Sequence, residues 1–486
     1  MVTASVKSVS FYINGEWIKP AGRATQAVTN PATGEVLAEV PLATSGDVDH
    51  AVETAHAAYL KWRDVLVVDR VQVLYRYKTL LEAHAGDLAN ILTAENGKTL
   101  EDSRAEVRRG IQMVEVACGM PSLMMGDSLN DIAQGIDCKT IRQPLGVCVG
   151  ITPFNFPAMV PMWMYPFAIA AGNAFILKPS ERVPLTPSLA VDLIHEAGLP
   201  KGVMNLIHGD RIAVDALLHH PTVKAVSFVG STPVAKYIYA SAATEGKRVQ
   251  ALGGAKNHLV VMSDASIAKT VEAIIGSAFG AAGERCLAGS VLVLVGDAAE
   301  PLLNALLARV RRMTVGDGSR TGVEMGPLIT AEHAGRVAGH IQRGISEGAV
   351  PLADGRNLRN AMSGYFIGPT ILDHARPEMS IACDEIFGPV LTVMRVGTLD
   401  EAIDVVNGSR FGNASSIFTE SGSAARDYTS KVEAGMVGVN IGVAAPMAFF
   451  PFAGWKQSFF GDLHAHGKDA VAFYTEQKVI MSRWFS

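Results

Sequence analysis

The chain has 486 residues, 49% of them hydrophobic and 18% charged, which is too apolar and too lightly charged for a disordered protein. At about 150 residues per domain, that length predicts roughly three domains, or two large ones with an accessory element. Forty-two Lys and Arg against 47 Asp and Glu leave a formal charge of −5 without a basic block, which argues against a nucleic-acid partner.

In chain order, the opening stretch MVTASVKSVSFYINGEWIKP has one early Lys and no apolar core of roughly 7 to 15 residues, so it reads as neither a secretory signal nor a clear transit peptide. Apolar residues spaced by three and four predict helices over Val48 to Trp62 and Arg70 to Leu92. Short β-rich runs then alternate with helical stretches: Val147 to Ile151, Ala174 to Leu177, Ala225 to Val229 and Leu259 to Met262. That alternation predicts a parallel α/β sheet. A second set, Val291 to Val295, Val390 to Val396, Ser415 to Phe418 and Met436 to Asn440, predicts a second α/β domain. Asp131 to Arg142 and Ala470 to Phe485 are β-prone pieces with no core of their own, which points to pairing across subunits.

The longest apolar stretches, such as Ala158 to Ile169 with its two prolines, fall short of a bilayer span, so no membrane helix is expected. No repeat period appears, which excludes a solenoid. Five cysteines without CxxC spacing predict neither a disulfide framework nor a zinc site, and a cytoplasmic address follows.

Four segments carry candidate chemistry. In Phe228-Val229-Gly230-Ser231-Thr232-Pro233 a β-branched run ends at Gly and a helix begins, a turn that presents free N–H groups to an anion or is simply a capped helix. Lys178, in Ile176-Leu177-Lys178-Pro179-Ser180-Glu181, follows a buried-looking strand and can donate to ribose hydroxyls or be a solvated loop charge. In Gly283-Glu284-Arg285-Cys286-Leu287-Ala288-Gly289, glycines flank a Cys preceded by Arg, and positive charge beside a thiol favours the nucleophilic thiolate. Cys118, Cys138, Cys148 and Cys383 read as inert core thiols. Pro153-Phe154-Asn155-Phe156-Pro157 holds an amide rigidly, as an oxyanion hole needs or as a plain turn does.

Together, PFNFP, LKPSE, FVGS, GERC and DEIFGPV (Asp384 to Val390) resemble, in order and approximate spacing, the aldehyde dehydrogenase superfamily, from about Tyr12 to Phe485. PMWMYPFAIAAGNAFILKPSER, RGIQMVEVACGMPSLMMGDSL and VAAPMAFFPFAGWKQSFFGDLHAHGKDAVAFYT are similar to its CoA-acylating methylmalonate- and malonate-semialdehyde dehydrogenase branch. The resemblance implies a Rossmann-like NAD-binding domain (1–130 and 143–255), an α/β catalytic domain (256–445) and a small β oligomerisation element (131–142 and 470–486) in a homotetramer of paired dimers. It implies Cys286 as the nucleophile, with Asn155 and the Cys286 N–H as the oxyanion hole. Lys178 and Glu385 fall at ribose-holding positions and Ser231 at the cap of the pyrophosphate helix. Thr152, Phe154, Glu181, Arg182, Gly253 and Phe387 match further cofactor-lining positions. Glu181 stands where it would repel a 2′-phosphate, so NAD is expected over NADP.

Hydrolytic members carry a Glu just before the Leu-Gly-Gly, where it activates water. Here the chain reads Val249-Gln250-Ala251-Leu252-Gly253-Gly254-Ala255-Lys256-Asn257, with no carboxylate at that place. The thioester is therefore expected to leave on the thiol of coenzyme A; the alternative is a hydrolytic enzyme releasing a free acid, with another carboxylate such as Glu245 serving as base. Arg285 and Arg109 match the arginines that the branch uses to grip a carboxylate, which implies malonate semialdehyde or its 2-methyl analogue as substrate. Arg108 reads as a salt-bridging helical face.

Overall fold

A computed structural model describes residues 7–360 and 362–485. Residues 1–6 of the opening stretch MVTASVKSVSFYINGEWIKP, on which the expectation of no targeting signal partly rests, lie outside the described residues, as does residue 486 of the tail.

Two sheets organise the chain. The first has eight strands, in the order 459–461, 248–252, 223–229, 147–151, 174–178, 204–206, 11–13 and 16–18. Its five middle strands are parallel, and Val147–Ile151 and Ala174–Lys178 are buried throughout. This is why VCVGI and AFILK read as continuous apolar runs and do not alternate: helices cover both faces. From Val147–Ile151 the chain winds one way through Ala174–Lys178 to Met204–Leu206, and the other way from Val223–Val229 to Arg248–Leu252. The crevice between Val147–Ile151 and Val223–Val229 is thus a topological switch point, where open α/β sheets bind ligands at their carboxyl ends.

The second sheet has seven strands, ordered 350–353, 370–373, 390–396, 289–295, 257–261, 414–418 and 436–439, all parallel except the first. Here one expectation is corrected. The run over Leu259 to Met262 belongs with this second sheet, paired to Gly289–Val295 and Ala414–Phe418. A fully buried apolar strand carries no mark of which sheet it joins, so periodicity alone misassigned it.

The expected helix over Arg70 to Leu92 is two helices, Val67–Ala83 and Ala85–Asn96, broken at His84 with φ −102° and ψ 16°. The apolar spacing runs through the break because Leu81, Leu88, Ala89 and Leu92 pack into the same core. The two β-prone pieces also need correction. They pair with each other inside the chain, Thr475–Arg483 antiparallel to Ile136–Pro144 over nine residue pairs, with Ser128–Ala133 as the third strand. The start of the tail is helical, within Gly467–Phe473. Leu129, Ile132, Val479 and Met481 stay exposed on this small sheet. No helix of the described residues is long and apolar enough to cross a membrane.

Candidate active site

The carboxyl edge of the first sheet faces the amino edge of the second. A cavity of about 570 Å³ between them is lined by Pro153 to Asn155, Val229 to Pro233, Gly253 and Gly254 on one side, and by Cys286 and Asp384, Glu385 and Phe387 on the other. A second cavity, of about 270 Å³, is lined by Lys98, Asp102, Glu106, Arg109, Trp163, Arg285, Cys286 and His466 among others. Cys286 lines both, so its sulfur sits where two chambers meet.

The loop that delivers it is tightly bent. Ala281, Ala282 and Gly283 all have positive φ (48°, 53° and 72°), a costly backbone for the two alanines. Gly283 is required, because a Cβ there would run into the Gly388 carbonyl. The Cys286 carbonyl accepts from Asn257 Nδ2 at 2.9 Å and Asn413 Nδ2 at 2.8 Å. Asn155, 5% exposed, donates Nδ2 to the Glu284 carbonyl at 2.9 Å, two residues from the sulfur. PFNFP is therefore more than a surface turn: its amide reaches the nucleophile loop.

Two influences work against the neighbouring positive charge and the loop N–H groups at the Cys286 thiol. Burial pushes its thiol up to about 12 and the Glu385 carboxylate adds to the rise, while Arg285 opposes it only weakly. Arg285 turns away, donating to Asp102 at 2.6 Å and to the Gly276 carbonyl at 3.2 Å. Alkylation of Cys286 in the free enzyme, followed by peptide mapping, is expected to accelerate about tenfold per pH unit between about pH 7 and 10 as the thiolate fraction grows. A plateau near neutrality would show a thiolate at rest.

On the first sheet, Lys178 is buried, against its reading as a solvated charge, and its nearest acceptor is Glu181 at 3.4 Å. Burial lowers its pKa, with Glu181 pulling the other way. Thr152 is buried with its hydroxyl unpartnered. Ser231 occupies the N-cap of Thr232–Thr244, but its side chain makes no capping bond. A Cβ on Gly254 would collide with Glu385. Glu385 accepts from the Ala255 N–H at 2.9 Å, and burial lifts its carboxyl to about 7. Phe387, at φ 57°, packs edge-on to Phe154 with ring centres 5.9 Å apart, and its carbonyl accepts from His333 Nε2 at 2.6 Å. Arg182 is half-buried, and its charge is felt at Glu284 and His333. Lys178, Thr152, Glu181 and Arg182 lie outside the 570 Å³ cavity lining, further along the strand ends.

In the smaller cavity Arg109 has one recorded partner, Met447 Sδ at 3.1 Å, and a thioether is a weak acceptor. Arg108, by contrast, is exposed and has no salt bridge among the described residues. No carboxylate stands at the end of the Arg248–Leu252 strand, where Gln250, Ala251 and Leu252 are all buried. Glu245 cannot substitute. It closes the far end of the 13-residue helix Thr232–Thr244, on the order of 20 Å from Ser231 by helical rise, and pairs with His219 at 3.2 Å.

Motif reading missed several lining residues. Asp102 and Glu106 stand four residues apart on the Leu100–Cys118 helix, with the expected Arg109 three further on, a spacing visible beforehand as one helical face. Asn413 and His466 had no local signal. His466 is 1% exposed and donates Nδ1 to the Phe450 carbonyl at 2.6 Å.

Residues 17–480 match the model of the aldehyde dehydrogenase family. The chain is 52% identical over 485 residues to malonate-semialdehyde dehydrogenase 1 of Bacillus licheniformis, covering 100% of both chains. Among solved structures, the methylmalonate-semialdehyde dehydrogenase of Oceanimonas doudoroffii matches with a TM-score of 0.97 at 47% identity, over 99% of each chain. A Sinorhizobium meliloti 1021 protein described as a methylmalonate-semialdehyde dehydrogenase, complexed with NAD, matches with a TM-score of 0.97 at 44% identity, again over 99% of each chain. This chain therefore belongs to the aldehyde dehydrogenase family.

Proposed function

We propose that the protein oxidises malonate semialdehyde or methylmalonate semialdehyde with NAD, loses carbon dioxide, and passes acetyl or propionyl from Cys286 to coenzyme A. The observation that carries the acyl-transfer part is the state of the carboxylates lining the two chambers. Asp102 is paired with Arg285, Glu106 with Lys98, and Asp384 with Arg410 at 2.8 Å, while Glu385 is held by Ala255 N–H. Three of the four are taken up in ion pairs, and Glu385 is the one this reading gives to a ribose of the cofactor.

The residues present fit NAD. The unpartnered Thr152 hydroxyl, the uncapped Ser231 turn and the close approach of Gly253 and Gly254 form a cradle at the switch point. Lys178 and Glu385 would hold riboses, with Phe154, Glu181, Arg182 and Phe387 along the same groove. NAD, when bound, accepts the hydride released as the Cys286 adduct becomes a thioester.

The chain's own residues do the rest. Cys286 Sγ, having lost its proton to solvent, bonds to the aldehyde carbon, and the carbonyl π pair moves onto oxygen. Asn155 Nδ2 and the Cys286 N–H donate to that oxygen. Arg109 grips the carboxylate while Arg285, bonded to Asp102, adds positive charge beside it, and together they set which carbon faces sulfur. After oxidation the carboxylate is β to the thioester carbonyl. Its C–C bond breaks, the electron pair enters the carbonyl as an enolate, and protonation leaves acetyl or propionyl on sulfur. Attack by the coenzyme A thiol then frees Cys286.

Incubating enzyme, semialdehyde and NAD with and without coenzyme A, with products identified by mass, tests this. Acetyl-CoA or propionyl-CoA with the thiol, and about one NADH per site without it, are the expected results. Undiminished turnover to free acid without the thiol would establish the hydrolytic alternative.

The division into an NAD-binding part, a catalytic part and an oligomerisation element is supported by the separate sheets. Exposed Leu129, Ile132, Val479 and Met481 support assembly through the small sheet, which we read as a homotetramer of paired dimers. Five free cysteines support a reducing, cytoplasmic setting.

A further inference from the structure

Lys98 and Glu106 form a buried ion pair, Nζ to Oε2 at 2.6 Å, with side chains 2% and 1% exposed. Desolvating two charges costs several kcal/mol per ion before their attraction offsets it. Their remaining bonds converge on one five-residue segment. Lys98 Nζ also donates to the Asn155 carbonyl at 2.6 Å and lies 4.2 Å from the Phe156 ring centre. Glu106 Oε1 accepts from the Ala158 N–H at 2.8 Å and the Met159 N–H at 3.1 Å. Just upstream, Asn96 Nδ2 donates to the Phe154 carbonyl at 3.1 Å. The backbone from Phe154 to Met159 is thus pinned at both ends by the chain running from Asn96 into the Leu100–Cys118 helix.

That segment carries the Asn155 amide, and the same helix face carries the substrate-gripping groups. Asp102 receives Arg285 and, at 3.3 Å, the N–H of Ala281 in the bent nucleophile loop. Arg109 lies three residues beyond Glu106. The geometry points to the Lys98–Glu106 pair as a positioning device for the Asn155 amide, locking oxyanion-hole geometry to the helix that holds the substrate carboxylate. This rests on the reading of Asn155 as an oxyanion donor. Both border the smaller cavity, but their bonds run to main chain, Lys98 to Asn155 and Glu106 to Ala158 and Met159, and it is through that main chain that they act. A displacement of about 1 Å at such a donor can cost on the order of 10²-fold in rate.

The test is a double-mutant cycle on hydride transfer, read as single-turnover NADH formation from malonate semialdehyde. Glu106→Gln keeps shape and an acceptor for Ala158 and Met159 while removing the charge facing Lys98; Lys98→Met is the second variant. Each is expected to slow hydride transfer by about 10- to 10²-fold, with the NAD Kd and the Cys286 alkylation rate within about twofold of wild type. In an Asn155→Ala background the slowing is expected to vanish, because the group being positioned is gone. The same slowing in that background, parallel losses in NAD binding and alkylation, or failure of both variants to fold would make the pair a structural staple and overturn the inference. An Asn155→Ala enzyme with undiminished hydride transfer would instead sink the oxyanion reading itself, and this inference with it.

Discussion

Cys286→Ala is expected to abolish turnover, by about 10⁴-fold or more, while leaving NAD affinity unchanged. The substitution removes one sulfur from a half-buried position and leaves the loop's anchors intact, since Asn257 and Asn413 hold the carbonyl of residue 286 and not its side chain. The residues proposed for the cofactor groove, Thr152, Lys178, Ser231 and Glu385, make no hydrogen bond to that sulfur. A calorimetric NAD titration beside the rate measurement separates the two effects. Residual turnover above about 1% of wild type would mean another group attacks the aldehyde. Cys118 and Cys148 are poor candidates, both buried with thiols pushed up by desolvation.

The second large effect is selective. Arg109→Ala is expected to raise KM for malonate semialdehyde by about 10²-fold, roughly 3 kcal/mol, and that for propionaldehyde by no more than about threefold. The asymmetry follows from occupancy. Arg285 already satisfies Asp102 and the Gly276 carbonyl, so it contributes charge to the cavity with few donors to spare. Arg109, whose one hydrogen-bond partner among the described residues is a thioether, keeps guanidinium donors for an incoming carboxylate. Steady-state kinetics on the two aldehydes decides it. Equal rises for both would make Arg109 a packing residue.

Much of the candidate site was legible in the chain because it is local. PFNFP, LKPSE, FVGS and GERC each sit where a strand or loop of a few residues meets a turn, so spacing along the sequence stood in for spacing in space. The missing base was legible for the same reason: it is a position in a contiguous Leu-Gly-Gly run. The strand over Leu259 to Met262 was assigned to the wrong sheet because partner choice is a long-range matter, set by registers to Gly289–Val295 and Ala414–Phe418. The pairing of Thr475–Arg483 with Ile136–Pro144 spans more than 300 residues and has no local trace.

From the amino-acid order alone came the candidates for the chemistry: one sulfur, one amide, two guanidinium groups, and the absence of an acid before the glycine pair. Their condition was decided only on folding. The surrounding protein desolvates the Cys286 thiol and pushes its pKa up; Arg285 is engaged because Asp102, 183 residues away, reaches it; the Asn155 carbonyl is held by Lys98, with Glu106 on the Ala158 N–H nearby. Protonation and hydrogen-bond occupancy depend on what else lies within a few ångströms, and those neighbours are assembled from segments far apart in the chain.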